Sequence, residues 1–451
     1  MMTTTASERK LRENDPFVTQ FEPFERAGAT RGPAWVFPVR KAGLARFAER
    51  GFPTVSDEDW RFTNVAAVGR LPFRPAPASG VGGRDILGRT PFATHETDRL
   101  VFVDGHYEAS LSRVGELPAG AVVMNLAGAI AGGVGDLEHV FGRHVTGEEN
   151  GFAALNAAYF SDGGYIFVPK GVALVRPVQL CFVSTGAAAG VATHPRNLVI
   201  VEEGASATVL ETYTGLNGVG YLTNSVGEVV VGDNGYLEHV RFQDERVEAF
   251  HVGTLHYRLG RASRCWAHSL ALGSKLSRVN IRASLAGEGL EAVLNGLYLT
   301  RGEQLADHHM VVDHIRPHCV SHEYFNGILD DRSKGVFHGR ILVRREAQKT
   351  DAKQTNRNLL LSDEATADTK PQLEIYADDV RCTHGATVGQ MNEDSIFYLR
   401  ARGIGLERAR RILMCAFAGE IIERVQNEAV REELDRIVWV RLEQNPHVKT
   451  E

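Results

Sequence analysis

The chain has 451 residues, of which 43% are hydrophobic and 24% are charged, and its formal net charge is −6. This length is enough for two or three structural units with a sizeable core. The negative charge gives no electrostatic basis for nucleic-acid binding.

Targeting and redox features favour a soluble, cytoplasmic protein. The N-terminus has no apolar signal core, and the most apolar stretch, residues 119–135, is shorter than the roughly 20 residues that a membrane-spanning helix needs. Five scattered cysteines without a CxxC pair indicate free thiols in a reducing compartment.

Residues 1–150 are predicted to form a largely helical N-terminal region. Apolar positions with helical spacing predict a helix over residues 38–48 that is stopped at Gly51. Later in this region, an Asp-Gly dipeptide between two apolar runs predicts a β-hairpin near residues 100–110.

Residues 151–390 are predicted to form a β-rich core. One short helix over residues 152–160 comes first, and strand-like runs such as residues 197–201 and 292–299 then follow with almost no helical periodicity. Acidic or glycine-rich turns separate these runs. Such a succession of short strands fits a sandwich, a barrel or a solenoid, and the pattern alone does not choose among them.

Residues 391–451 are predicted to form a C-terminal helical domain. Asn392 is placed to cap a helix over residues 393–402 that ends at Gly403. Two apolar stripes with helical spacing follow, and they fit either packing on the protein's own core or docking of a partner. The stripes consist of Leu406, Ala409, Ile412, Leu413, Ala416, Phe417, Ile421 and Val425, and of Val430, Leu434, Ile437 and Val438.

The run of residues 381–387 carries a thiol, an imidazole and a hydroxyl. Cys382 and His384 are two residues apart, so on an extended strand both side chains point to the same face. Such a pair suits a soft or borderline metal, or the handling of sulfur. The alternative is a buried cysteine and a hydrogen-bonded histidine near a strand end, because C-x-H is less specific than paired CxxC motifs.

Histidines are concentrated in one part of the chain. Ten of the seventeen lie between residues 239 and 338, most densely over residues 308–322. This stretch could form a metalloenzyme site, but its spacing matches neither H-E-x-x-H nor a zinc finger. The alternative is a set of hydrogen-bonded histidines in turns or at a subunit interface. The sequence has no phosphate-binding P-loop motif, so any nucleotide hydrolysis has to come from another chain.

An ordered series of motifs resembles the SufB/SufD family, the scaffold subunits of iron–sulfur cluster assembly. The specific part covers about residues 300–420, and the Cys-Thr-His-Gly-Ala-Thr run at residues 382–387 resembles the SufD branch rather than SufB. The other motifs lie at residues 53–54, 57–61, 307–309, 317–319, 327–330, 335–337, 349–362, 365–371, 373–375 and 396–404.

The resemblance implies a mainly β fold with a right-handed parallel β-helix core, flanked by N- and C-terminal helical regions. It implies a non-catalytic scaffold subunit that works with a SufB-like paralogue and a SufC-like ABC-type ATPase. Such a subunit holds no cofactor permanently and meets only a transient iron–sulfur cluster in the complex. The alternative within the family is a SufB-type principal scaffold. A SufD-like chain on its own is also expected to be able to pair with a second copy of itself.

The resemblance also assigns site residues. It places His384 at the contact with the SufB-like paralogue, as a transient ligand of the nascent cluster, with Cys382 as a second candidate. It implies that the C-terminal helical domain binds the ATPase. The residues predicted to take part in that docking are Tyr398, Arg402, Gly403, Ile404 and Phe417.

Overall fold

The protein is mostly β, with a parallel β-solenoid of about eight turns and helical N- and C-terminal regions. The predicted β-helix is therefore confirmed, and the sandwich and the barrel are excluded. The start of the predicted N-terminal region, residues 1–14, lies outside the described residues. The computed structural model describes residues 15–26, 32–76, 87–88, 90–186, 188–216 and 218–443.

The described helices lie before residue 160 and after residue 392 of the chain. In chain order they are α1 Pro16–Thr19, α2 Phe21–Arg26, α3 Val36–Arg50, α4 Leu126–Ala131, α5 Leu137–Val140, α6 Gly151–Tyr159, α7 Glu393–Arg400, α8 Leu406–Ile422 and α9 Glu428–Glu443, with 3₁₀ turns at Glu58–Trp60 and Val68–Arg70.

The strands that enter the solenoid come first and are short. They are β1 Arg74–Pro75, β2 Asp98–Val103, β3 His106–Tyr107, β4 Val122–Asn125, β5 Gly164–Val168, β6 Val178–Ser184, β7 Val191–Thr193 and β8 Arg196–Val201. The later strands are longer and regular. They are β9 Ser206–Gly215, β10 Leu222–Val231, β11 Tyr236–Asp244, β12 Phe250–Leu259, β13 Arg264–Ala271, β14 Leu276–Leu285, β15 Glu291–Thr300, β16 Leu305–His314, β17 Val320–Leu329, β18 Lys334–Val343, β19 Asp351–Leu360, β20 Thr366–Ile375 and β21 Arg381–Gly389.

The solenoid consists of two sheets that the chain visits in turn. From β8 to β21 successive strands alternate between an 11-stranded sheet, which ends at β20, and a 10-stranded sheet, which ends at β21. Neighbouring strands in this region are parallel and in register, as His309 of β16 is opposite His338 of β18. Because side chains alternate along a strand, every second residue of each strand points into the interior of the solenoid.

The interior holds the largest apolar core of the described residues. Many strands contribute side chains to this core, and the side chains are almost completely buried. Five examples, each at most 3% exposed, are Val209, Leu237, Leu255, Leu294 and Phe325. At roughly 25 cal/mol per Å² of buried apolar surface, this layer provides the main stabilisation of the stacked turns.

The solenoid begins earlier in the sequence than predicted. Strand β2 pairs in parallel with β6, and β4 pairs with β5, so strands from before residue 151 belong to both sheets. The hairpin predicted near residues 100–110 is present as the antiparallel pair β2 and β3, with Asp104 and Gly105 both at positive φ. Local sequence does not reveal the pairing of β2 with β6, because the two strands are far apart in the chain.

The C-terminal helices pack on the outer face of the 10-stranded sheet. Apolar residues of α8 and α9, among them Ile421, Leu434 and Val438, form one cluster with outward-facing residues such as Val240 and Leu297. Fully burying one such side chain contributes roughly 1.5–3 kcal/mol. Of the two interpretations of the apolar stripes, packing on the protein's own core therefore applies to their buried positions.

None of the described helices combines the length and the apolar character that crossing a membrane would require.

Candidate functional site

The C-terminal end of the solenoid presents two terminal strands. Among the described residues, β20 and β21 each have a hydrogen-bonded neighbour in their sheet on one side only. Residues 383–389 of β21 are all exposed, whereas strands in the middle of the solenoid are almost entirely buried. A terminal strand of this kind offers a row of backbone N–H and C=O groups to a further strand.

Cys382 and His384 lie on this terminal strand and share one face of it. Cys382 is opposite Ala352 of β19, and His384 is opposite Gln354. Cys382 is half-buried against a small apolar cluster that includes Ala352, and burial, followed by the charge of Asp351, raises the pKa of its thiol. His384 is exposed, so its imidazole is open to an approaching ligand or partner.

A polar column continues from His384 into the solenoid. Gln354 and Glu323 are in register beneath it, both are fully buried, and Gln354 Nε2 donates a hydrogen bond of 2.6 Å to Glu323 Oε2. Burial raises the pKa of Glu323 to about 7. The Oε1 atoms of both side chains have no hydrogen-bond partner among the described residues. Glu323 and Gln354 are not among the residues predicted from the sequence, because only the strand register reveals the column.

Four of the five predicted docking residues lie in the last turn of α7 or directly after it. Tyr398 is 57% exposed, and the Arg402 guanidinium lies over its ring at 3.4 Å. Gly403 ends this segment with a φ of 82°, and Ile404 is half-buried. Phe397 of the same helix is 73% exposed, although it is not among the predicted docking residues.

The fifth docking residue, Phe417, belongs to α8. It is half-buried, its backbone carbonyl accepts a hydrogen bond from Asn326 Nδ2, and the Arg357 guanidinium lies 5.4 Å from its ring. Phe417 lines a groove between α8 and the ends of β19 and β21, together with Val388 and Asn392. The structure thus places Phe417 beside the end of β21, on a different element from the other four.

The histidine-rich stretch is divided among several environments. His308 is fully buried and shares a hydrogen bond of 3.0 Å with Ser269, while His314 shares one of 2.8 Å with Ser321. Residue 318 lies in the turn after β16, and residue 322 lies on the other sheet. Of this stretch, only His309 joins a group of potential metal ligands among the described residues.

Comparison with known families identifies the chain. The model for the core domain of SufBD proteins, of the SUF system of FeS cluster assembly, matches residues 182–417, and the model for the SufBD N-terminal region matches residues 92–180. The core match alone covers more than half of the 451 residues.

Individual relatives extend this match over most of the chain. An iron–sulfur cluster assembly SufBD family protein of Synechocystis is 32% identical over 399 residues, which cover 86% of this chain and 87% of the relative. The iron–sulfur cluster assembly protein SufD of Escherichia coli is 31% identical over 427 residues, covering 93% and 95%. SufD of Bacillus subtilis is 26% identical over 420 residues, covering 90% and 94%. The predicted resemblance to the SufD branch is confirmed, and the chain belongs to the SufBD family of iron–sulfur cluster assembly proteins.

Proposed function

We propose that the chain is a non-catalytic, SufD-like scaffold subunit that works with a SufB-like paralogue and a SufC-like ATPase. The observation that carries this proposal is the exposed terminal strand β21, which offers a pairing edge and presents Cys382 and His384 together. The family match supports iron–sulfur cluster assembly as the setting.

The paralogue docks on the terminal strands in this proposal. A partner strand that adds to β21 gains main-chain hydrogen bonds, and side chains on alternate positions give the contact its specificity. A paralogue with the same fold has an equivalent strand to offer. For the same reason, two copies of this chain can pair when the paralogue is missing.

The nascent cluster is cargo at this contact and not a resident cofactor. An exposed imidazole such as that of His384 ligates iron in its neutral form. Cys382 is the second candidate, because its raised pKa disfavours the thiolate that binds metal. A ligand set divided between two subunits can be opened or closed by a movement of either subunit.

The ATPase docks on the exposed end of α7, around Tyr398 and Arg402, in this proposal. The chain lacks a P-loop, so it depends on a partner for nucleotide hydrolysis. A partner that pulls on α7 and α8 also acts on the neighbouring end of β21, because Phe417 lines the groove beside it. This arrangement supports coupling between nucleotide state and the cluster site. The five free thiols suit a reducing, cytoplasmic setting.

The decisive experiment is anaerobic co-purification of this chain with the SufB-like and SufC-like proteins of the same organism. Iron and sulfide are then measured in complexes that carry wild type, His384→Ala or Thr383→Ala. Thr383 is an exposed neighbour on the opposite face of β21 and provides the matched control. We expect a complex with all three chains and a several-fold lower cluster content with His384→Ala alone. Normal cluster content in an assembled His384→Ala complex would refute the assignment.

The competing functions predict other outcomes of this experiment. A SufB-type principal scaffold would hold the iron–sulfur cluster without the paralogue. A metalloenzyme built on residues 308–322 would need these histidines to converge, whereas the structure divides them between two sheets and a turn.

A further inference from the structure

Three potential metal ligands converge on the outer face of the 11-stranded sheet. His309 of β16 and His338 of β18 are register partners, and their rings lie 4.3 Å apart in a T-shaped arrangement. The 3₁₀ turn Glu58–Trp60 brings Asp59 over them, with Asp59 Oδ1 3.7 Å from His309 Nε2. One ligand atom from each of the three residues lies within 4.8 Å of the other two.

The segment that carries Asp59 is anchored to three strands of the sheet. Trp60 is buried, with the Arg278 guanidinium of β14 at 3.6 Å from its ring. Glu58 accepts a hydrogen bond of 2.8 Å from Lys370 of β20. Farther along the segment, Thr63 donates a hydrogen bond to Asp307 of β16. These contacts hold Asp59 above the histidine pair independently of any metal.

The surrounding cations have partners of their own. Arg278 is paired with Asp307 at 2.5 Å, and Arg340 of β18 lies 3.5 Å from Glu374 of β20. Together with the Lys370–Glu58 pair, these contacts compensate the positive charges near the histidines. The Asp59 carboxylate is left facing the two imidazoles, and its side chain is 60% exposed and so able to adjust.

The two histidines are enclosed by the surrounding structure and present ring nitrogens to the site. His309 and His338 are only 8% and 6% exposed. An imidazole binds a metal through the lone pair of a ring nitrogen. His309 Nδ1 is buried without a hydrogen-bond partner among the described residues, and His338 Nε2 lies 3.4 Å from Gln372 Oε1.

We propose that Asp59, His309 and His338 form a binding site for one divalent first-row transition-metal ion. Two imidazoles and one carboxylate suit Zn²⁺, Fe²⁺ or Co²⁺ and leave coordination positions for water. Bonds of about 2.0–2.2 Å require the three ligand atoms, which now lie within 4.8 Å of one another, to draw closer together, and the exposed Asp59 is free to move toward the histidines. The bound ion links the segment of Asp59 to the last turns of the solenoid and stabilises that contact.

This site is separate from the proposed cluster contact. His309 and His338 belong to the 11-stranded sheet, whereas Cys382 and His384 belong to the 10-stranded sheet. The inference does not depend on the proposed function. It departs from the expectation that the chain binds no metal permanently.

The test uses the full chain, freed of metal with a chelator and then titrated with Co²⁺ under visible absorption spectroscopy. Thermal unfolding with and without Zn²⁺ gives an independent measurement. The site variants are Asp59→Asn and His338→Gln. The matched control is His322→Ala, which removes a histidine of the other sheet. A His384→Ala chain separates this site from the cluster contact.

We expect wild type to bind one equivalent of Co²⁺ without thiolate charge-transfer bands and to unfold at higher temperature with Zn²⁺. Asp59→Asn should weaken Co²⁺ binding by about tenfold or more, and His338→Gln should abolish it, whereas His322→Ala and His384→Ala should bind normally. Because Asp59 is exposed, its variant decides the question even if His338→Gln fails to fold. Absence of Co²⁺ uptake by folded wild type, uptake unchanged in Asp59→Asn, or thiolate bands would overturn the proposal.

Discussion

Replacing Glu323 by glutamine should stabilise the protein at neutral and mildly alkaline pH. Glu323 is fully buried between Leu294 of β15 and Gln354 of β19, and its Oε1 has no hydrogen-bond partner among the described residues. Burial raises its pKa from the ordinary value of 4.5 to about 7. Between about pH 4.5 and pH 7, Glu323 therefore keeps its proton in the folded chain and loses it in the unfolded chain.

The sign and the size of the effect follow from this difference. Below about pH 4.5 both states are protonated at Glu323 and the residue has no pH-dependent effect. Between about pH 4.5 and pH 7 only the unfolded state ionises, so the free energy of unfolding falls as the pH rises. The change of pKa from 4.5 to about 7 corresponds to about 3 kcal/mol in total, at about 1.4 kcal/mol per pKa unit.

The assay is urea denaturation of wild type and Glu323→Gln at about pH 4.5 and about pH 8. Glutamine keeps the shape, removes the ionisation and offers an N–H group toward the unpartnered Oε1 of Gln354. The two proteins should differ little in acid, and the variant should be more stable by up to about 3 kcal/mol at the higher pH. The exposed Glu346 provides the control, and Glu346→Gln should be as stable as wild type at both pH values. Equal stability of wild type and Glu323→Gln at about pH 8 would show that burial does not raise the pKa of this carboxyl in the folded chain.

Two further predictions concern buried groups elsewhere in the solenoid. Arg278→Met should lower the free energy of unfolding by about 3–5 kcal/mol in thermal or urea denaturation, because it leaves the buried Asp307 carboxylate without its cation. In the native protein at mildly alkaline pH, iodoacetamide should label the half-buried Cys382 and Cys415 slowly and leave Cys265 unmodified, as mass spectrometry can show. Cys265 is fully buried, and burial raises the pKa of its thiol to about 12.

Each of these predictions has an internal comparison. Arg261→Met removes an exposed pair with Asp233 and should change stability by less than about 1 kcal/mol; a similar loss in both arginine variants would contradict the role of burial. Unfolding in urea should expose Cys265 to iodoacetamide. Labelling of Cys265 in the native state at the rate of Cys382 would show that the interior opens readily.

Features that depend on neighbours along the chain follow from the amino-acid sequence alone. The side chain of Asn392 accepts a hydrogen bond of 2.9 Å from the backbone N–H of Ser395 and caps α7, as the local pattern indicated. The two-residue spacing of Cys382 and His384 fixed their common face once the segment was extended. The motifs over residues 300–420 are runs of neighbouring residues, and they are specific enough to indicate the family without the fold.

Features that depend on residues distant in the sequence are set by the packing of the folded chain. The parallel pairing of β17, β19 and β21 creates the column of Glu323, Gln354 and His384, and no local periodicity encodes that register. The anchored turn at Asp59 meets His309 and His338 through packing alone. An apolar stripe likewise predicts that one face of a helix is buried. The surface that buries this face is formed only by the folded solenoid. Side-chain periodicity specifies the face of an element, whereas the partner of that face is set by the packing of the whole chain.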